Sequence, residues 1–376
     1  MSEVSKLAGT PGPEIRGKSS TGWHRLLGAF LNTSTLRLSA VALTMAIFVS
    51  AFIMAVCGYN PIEAFAAIFA GAFGSTRAIS QTLVQATPLI FTGLAFTIAR
   101  KASLINIGVE GQMYFGAMAA AWIGALDIGL PGFMHLPLTI LAGALAGGLL
   151  AGFVGWLKVR FGSNEVIATI VLNTIAINFT SYLANYPLKA EGPTAQTNRI
   201  LATAELPRLV QGYQLTAAFF LAVLVAIAIY IIMNRAILGY EIRCVGLNKA
   251  ASETAGINIG RVLVVSMLLS GAVAGLAGAF HVMGVDRRFI VGFSPGYGYD
   301  GISVSALAAE HSIGVIFSGL IFGALRAGTT VLNRTTRIPT DFINVIQAFV
   351  IIFVSTPLLI KEALSFGTFR RKKHVH

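Results

Sequence analysis

What the sequence has least of is charge: Asp, Glu, Lys and Arg together make up 11% of its 376 residues, against roughly 25% in a soluble domain. With 55% of residues hydrophobic, too little polar surface remains to cover a water-soluble core. Cysteine is nearly absent. Cys57 ends an apolar run and Cys244 lies in a polar loop, on opposite sides of the membrane in the topology below, so no disulfide framework is available. The chain also lacks a G-x-x-x-x-G-K-[ST] phosphate loop, an H-E-x-x-H pair and any paired-cysteine metal spacing, which leaves no motif for nucleotide hydrolysis or metal chemistry. Residues 1–35 are polar and basic, without an apolar stretch ahead of a small-residue cleavage site, and read as a retained tail, not a signal peptide.

Glycine, by contrast, is abundant. Forty glycines and a mean hydropathy of +0.77 fit helices that pack in lipid through small residues. Runs of about 20 apolar residues suffice to cross a bilayer as helices. Clear spans are expected at 38–57, 80–99, 137–157, 164–184, 214–233, 262–283 and 340–360. Three interrupted or truncated runs, 105–126, 294–310 and 312–331, bring the expected total to ten. The third of these contains Arg326. Segment 61–73 is too short to cross and is expected at the outer interface or in a tight loop.

The net charge of +12 raises the question of nucleic acid, but the basic residues sit at the ends of apolar runs. With the N-terminus in the cytoplasm, eighteen of twenty-seven fall inside, among them Arg100, Lys101, Lys158, Arg160, Arg235, Arg243, Lys249 and Arg261. The reverse orientation would invert that excess, against the positive-inside rule. The charge is therefore a topology signal, no nucleic-acid partner is expected, and both termini are placed inside. The expected domains are a basic tail at 1–35, a transmembrane domain at 36–360 and a second basic tail at 361–376.

Two polar stretches interrupt the apolar runs and resemble one another. Gly108-Val-Glu110-Gly111 is followed by Gln112 and a small-residue run, and Gly298-Tyr-Asp300-Gly301 by another. The first opens a span leaving the cytoplasm and the second one entering it, as an inverted repeat requires. Broken helices near the midplane of a transporter turn their N-termini toward a polar cavity. Equally, Glu110 and Asp300 can cap helix ends or meet interfacial water. Gly296-x-Gly298-x-x-Gly301 also matches a dinucleotide-binding fingerprint, but residues 320–322, where its acidic residue belongs, are Leu-Ile-Phe; the match is assigned to chance.

The loop at 234–261 is expected to hold a short helix from about 248 to 255, closed by Gly256. Ala250, Ala251 and Ala255 give it a small-residue face suited to another protein's groove; a basic loop that merely fixes topology has the same composition.

These residues resemble a known family. Asn106-Ile-Gly-Val-Glu-Gly-Gln112, Ser163-Asn-Glu165 through Asn173, the Gly246-x-Asn248-x-Ala-Ala251 loop and Phe293-Ser-Pro-Gly-Tyr-Gly-Tyr-Asp300-Gly-Ile302 are similar to permeases of bacterial nucleoside and simple-sugar ABC importers. These resemble in turn the ribose and branched-chain amino-acid permeases. The resemblance covers roughly residues 36–360. It implies an all-α membrane protein of about ten transmembrane helices with an inverted repeat, the type II permease fold of the vitamin B12 importer. Its site is the inner membrane, and its partners are a second, unlike permease, a tandem-cassette ATPase that binds ATP–Mg, and a substrate-binding lipoprotein. Gly246, Asn248, Ala250, Ala251, Ala255 and Gly256 then belong to the helix that couples to the ATPase. Asn106, Glu110, Gln112, Asn173, Asn178 and Asp300 are candidates for the solute pathway or its support, although membrane Asn also hydrogen-bonds between helices. In the external loop 186–213, Lys189, Arg199 and Arg208 are candidates for receiving the lipoprotein, and a solvated connector is the alternative. No cofactor is expected in this chain. Where relatives carry an Arg-containing turn after the eighth helix, this chain reads Ala308-Ala-Glu310-His311-Ser, which leaves the contacts of that turn open. The rival readings are an ion-coupled secondary transporter using Glu110 or Asp300 and a membrane scaffold without transport.

Overall fold

The computed structural model describes residues 33–210, 212–336 and 342–355. The basic tails, Arg337 and the end of the last expected span fall largely or wholly outside them. The described chain is helical: α1 (Thr33–Val56), α2 (Pro61–Phe73), α3 (Thr76–Lys101), α4 (Val109–Ala125), α5 (Gly132–Phe161), α6 (Glu165–Asn185), α7 (Ala218–Arg235), α8 (Ile237–Leu247), α9 (Lys249–Thr254), α10 (Ile259–His281), α11 (Tyr297–Leu307), α12 (Gly314–Thr336) and α13 (Phe342–Ser355). Extended pairing among the described residues is confined to isolated bridges in the segments beside α6 and α10.

Helix starts follow local chemistry. Asn60, Ser75, Asn164, Asn248 and Asn258 cap α2, α3, α6, α9 and α10, each accepting from a backbone N–H of the first turn, where a helix leaves its donors unpaired. Pro61 occupies the first position of α2, where its missing N–H costs nothing. Gly162, at φ 68°, closes α5 in the left-handed region.

Among the described residues six helices are long and apolar enough to cross a membrane: α3, α5, α6, α7, α10 with its π-turn extension to Asp286, and α12. They coincide with six expected runs. The 61–73 segment is a helix, with Ala64, Ile68, Gly71 and Ala72 buried. Of the three interrupted runs, 312–331 is the continuous helix α12, and the other two differ from continuous spans. α4 begins only at Val109 and has 17 residues, about 26 Å, short of a ~30 Å hydrocarbon core. α11 has 11 residues.

α3 lies at the centre, with 89% of its apolar window buried, whereas α6 and α7, at 22% and 28%, lie at the periphery. α10 packs on α5, α4 and α3, and α11 and α12 pack on α3 from the other side. Small residues set the spacing. A Cβ on Gly275 of α10 would stand 2.2 Å from the Gly143 carbonyl oxygen of α5, and one on Gly116 of α4 would stand 2.2 Å from the Gly275 oxygen. Three backbones thus touch directly, the packing mode available where lipid supplies no hydrophobic drive between helices. α10 also joins the two ends of the molecule, running from α9 to Met283, whose carbonyl accepts from Leu206 N–H at 3.1 Å.

Gly275→Ala is expected to force these helices apart and lower stability by about 1–3 kcal/mol, read as a fall in melting temperature in detergent. Gly132→Ala, whose Cβ would meet Thr203 at an ordinary 3.4 Å, is expected to melt with the wild type.

Candidate functional site

Between α3 and α4 the chain runs without helix from Ala102 to Gly108, and it is held there by Asn106. This side chain is fully buried. Its Nδ2 donates to Gln112 Oε1 and Ser270 Oγ, both at 2.9 Å, while its Oδ1 accepts from Gly108 N–H at 3.1 Å and Gln112 Nε2 at 2.9 Å. The Ser270 hydroxyl donates in turn to the Ala95 carbonyl at 2.6 Å. A buried amide with every donor and acceptor occupied fixes geometry. Asn106 and Gln112 therefore support the site from within.

The fixed segment delivers α4 to a meeting of two helix N-termini. Gly298, in the first turn of α11, lies against Glu110, in the first turn of α4, so closely that a Cβ on it would stand 2.4 Å from the Glu110 nitrogen. The Gly298 N–H donates to Glu110 Oε2 at 2.5 Å. Just ahead of α11 the Ser294 hydroxyl accepts from Gly296 and Tyr297 N–H at 3.2 Å. Each interrupted helix carries an acidic residue in its first turn, Glu110 and Asp300. Two positive dipole ends placed head to head repel unless an acceptor lies between them, which is where the Glu110 carboxyl stands. From this junction the helices run apart. The far end of α4 reaches the 186–213 segment, where Leu201 N–H donates to Gly124 O at 2.7 Å; that of α11 ends beside Arg100.

Asp300 answers Arg326 of α12: Nη2 and Nε lie 2.7 and 2.8 Å from Asp300 Oδ2. The guanidinium also donates to the Pro295 carbonyl at 3.2 Å and sits over the Tyr297 ring, 5.0 Å from its centroid. A charge within a membrane helix costs about 2.5–3.5 kcal/mol on insertion scales, so a lone Arg326 had to have a partner; Asp300, 26 residues earlier, was the available one. The glycines of the apparent dinucleotide fingerprint have a packing role as well, Gly298 against Glu110 and Gly301 against Thr92 of α3, whose hydroxyl donates to Tyr297 O at 3.0 Å.

Asn173, on α6, joins the same group. Its Oδ1 accepts from Gly111 N–H and its Nδ2 donates to the Tyr299 hydroxyl. Tyr299 leaves nearly half of its surface exposed and is the aromatic that sequence reasoning missed, since nothing local marked it. Asn178 stands apart. It is exposed and bonds the Thr174 carbonyl of its own helix. The Ser163-Asn-Glu165 motif is a helix start: Asn164 caps α6 and Glu165 pairs with Lys158 at 2.5 Å.

At the end of the molecule opposite the 186–213 segment, α9 presents Ala250, Ala251 and Ala255 to the outside, beside a Leu247 that is 89% exposed. Asn248 caps the helix and Gly256, at φ 80°, ends it. Gly246 faces the other way, onto Lys101. In the 186–213 segment Lys189 and Arg208 are exposed, whereas Arg199 shares Glu205 with Arg287, at 2.9 and 3.1 Å.

The family model described as branched-chain amino acid transport system / permease component matches residues 78–355. The chain belongs to that family. It is 34% identical over 345 residues to the guanosine ABC transporter permease protein NupP of Bacillus subtilis, an alignment covering 90% of this chain and 98% of that one. It is 32% identical over 334 residues to the nucleoside ABC transporter permease protein NupB of Lactococcus lactis, covering 86% and 92%. It is 33% identical over 350 residues to the glucose ABC transporter permease protein TsgB13 of Haloferax volcanii, covering 90% and 91%. The two bacteria each hold a second ABC transporter permease that also matches, at 26% identity. In this permease the matched region opens inside α3 and closes at the end of α13, so it takes in the whole junction.

Arg326→Gln is expected to lower the folded yield of the permease more than the double substitution Arg326→Gln with Asp300→Asn, because the single change removes the guanidinium from a half-buried carboxylate. Asn106→Ala is expected to cost about 1–3 kcal/mol through the donors it strands, and Asn178→Ala to leave the melting temperature unchanged.

Proposed function

We propose that the chain is one of two unlike permease subunits of an ATP-binding cassette importer in a bacterial inner membrane, moving a nucleoside or a sugar-like solute delivered by a substrate-binding lipoprotein. The observation that carries this reading is the buried meeting of two interrupted helices at Glu110 and Gly298, in a chain similar over nearly its whole length to permeases named for guanosine, nucleosides and glucose. Helix ends that stop in mid-membrane offer backbone dipoles where a continuous helix offers none.

Counting α1, α4, α11 and α13 with the six long helices gives ten spans, both termini on the cytoplasmic side, and an inverted repeat whose halves meet at the junction. Two permeases per organism among the relatives favour a heterodimer. The exposed alanines of α9 and Leu247 make a shallow apolar seat for a tandem-cassette ATPase, which would bind ATP–Mg and undergo the closure that drives transport. Asn248 and Gly256 define the ends of that seat. Lys189, Arg199 and Arg208 offer rim charges to the lipoprotein, which act on encounter more than on affinity. Within the junction, Asn173, Glu110 and Asp300 shape the wall of the pathway, with Asn106 and Gln112 behind them, and Asn178 faces outward from α6. The internal bonds of Glu110 and Asp300 weigh against either one cycling a proton in an ion-coupled carrier.

Ala250→Asp with Ala251→Asp is expected to reduce uptake of guanosine by cells to background while the second permease still co-purifies. Normal uptake by that variant counts against the docking role. Uptake that survives ATP depletion and collapses with the proton gradient would identify an ion-coupled carrier instead.

A further inference from the structure

The C-terminal end of α3 touches three parts of the chain at once. Gly246, next to last in α8, sits so near it that a Cβ would stand 2.1 Å from the Lys101 carbonyl oxygen and 3.3 Å from Ser103 N. Arg100 Nε donates to Glu310 Oε1 at 2.9 Å, in the turn that follows α11. The segment 102–108 leads from the same point to α4. The turn leaving α3 and the turn leaving α11, which meet here, both contain non-glycine residues in the left-handed region, Ser103 at φ 57° and Ala309 and Glu310 at φ 50° and 56°, a conformation that persists only where surrounding contacts hold it.

α9 follows Gly246 after Leu247 and Asn248. A push on α9 meets the Lys101 carbonyl with no side chain between to absorb it. From there one route runs through the Asn106-locked segment to the start of α4. The other runs through the Arg100–Glu310 pair to α11. Both routes end where α4 and α11 meet, at Glu110 and Gly298.

We infer that the Arg100–Ser103 turn, with Gly246 pressed against it, is the node through which displacement of the docking helix α9 reaches both interrupted helices, with Ser103 and Glu310 as positioning residues. This rests on the importer reading above. Neither residue touches the junction, and a pair as exposed as Arg100–Glu310, at 39% and 32%, adds little to stability. Loss of coupling without loss of folding is therefore the signature.

The test uses the complete complex of both permeases and the ATPase in proteoliposomes, with the loaded binding protein and guanosine as probe. Guanosine moved per ATP hydrolysed is measured beside the melting temperature. Ser103→Gly, which softens the turn without removing a contact, and Glu310→Arg are expected to melt with the wild type, to keep hydrolysing ATP, and to lose at least about fivefold in guanosine per ATP, the lower end of ordinary coupling between sites. Arg100→Glu added to Glu310→Arg is expected to recover most of that loss. A wild-type yield per ATP in both single variants overturns the inference, as does a loss that merely follows unfolding or detachment of the ATPase. A wild-type complex that neither accelerates hydrolysis with loaded binding protein nor moves guanosine overturns the importer reading and the inference together.

Discussion

Two helix N-termini meeting inside a membrane is an arrangement that the partial charges of the backbone oppose, and Glu110 is what makes it tenable. Its carboxyl stands in the first turn of α4 and accepts from the first turn of α11, so one acceptor serves two dipoles that would otherwise repel. Much of the architecture follows from holding that carboxyl in place. Asn106 locks the segment that brings α4 in, Ser294 accepts from Gly296 just ahead of α11, Asn173 secures Gly111 from α6, and α12 contributes Arg326 so that Asp300 is paired as well. The glycines at 111, 298 and 301 are small for the same reason: at each, a Cβ would stand within 3 Å of a neighbouring element.

A rigid junction inside the helical body and an exposed helix at one end are useful to each other only if something stiff joins them. α3 has that character, its apolar stretch being almost wholly buried and its end in backbone contact with α8 through Gly246. The peripheral helices α6 and α7 are the opposite case. Their surfaces are mostly unclaimed among the described residues.

The membrane reading, the positions of the six long helices and the short helix α9 were legible in the sequence because each depends on local quantities: apolar run length, capping residues and a glycine that ends a turn. The interrupted runs were visible too, since Glu110 and Asp300 break the apolar pattern wherever they fold. Other contacts were hidden. Gly246 reads as part of the docking loop by position, yet packs inward because only glycine allows α8 to approach Lys101. Asn173 and Asn178 look equivalent as membrane asparagines, but five residues on a helix place them on different faces, one in the junction and one outside it.

Composition and charge order by themselves determined that this chain lives in lipid, roughly where it crosses, and which carboxylates demand an explanation; these are properties of transfer free energy, which acts residue by residue. Tertiary structure alone decided that the two polar stretches face each other, that Arg326 belongs to Asp300, and that Tyr299 is tethered by Asn173. Those pairings join residues from 26 to 188 positions apart, and the reason is packing: small residues let α4, α5 and α10 approach to backbone contact and let α11 lie against α3 and α4, and the polar groups pair where that approach leaves them.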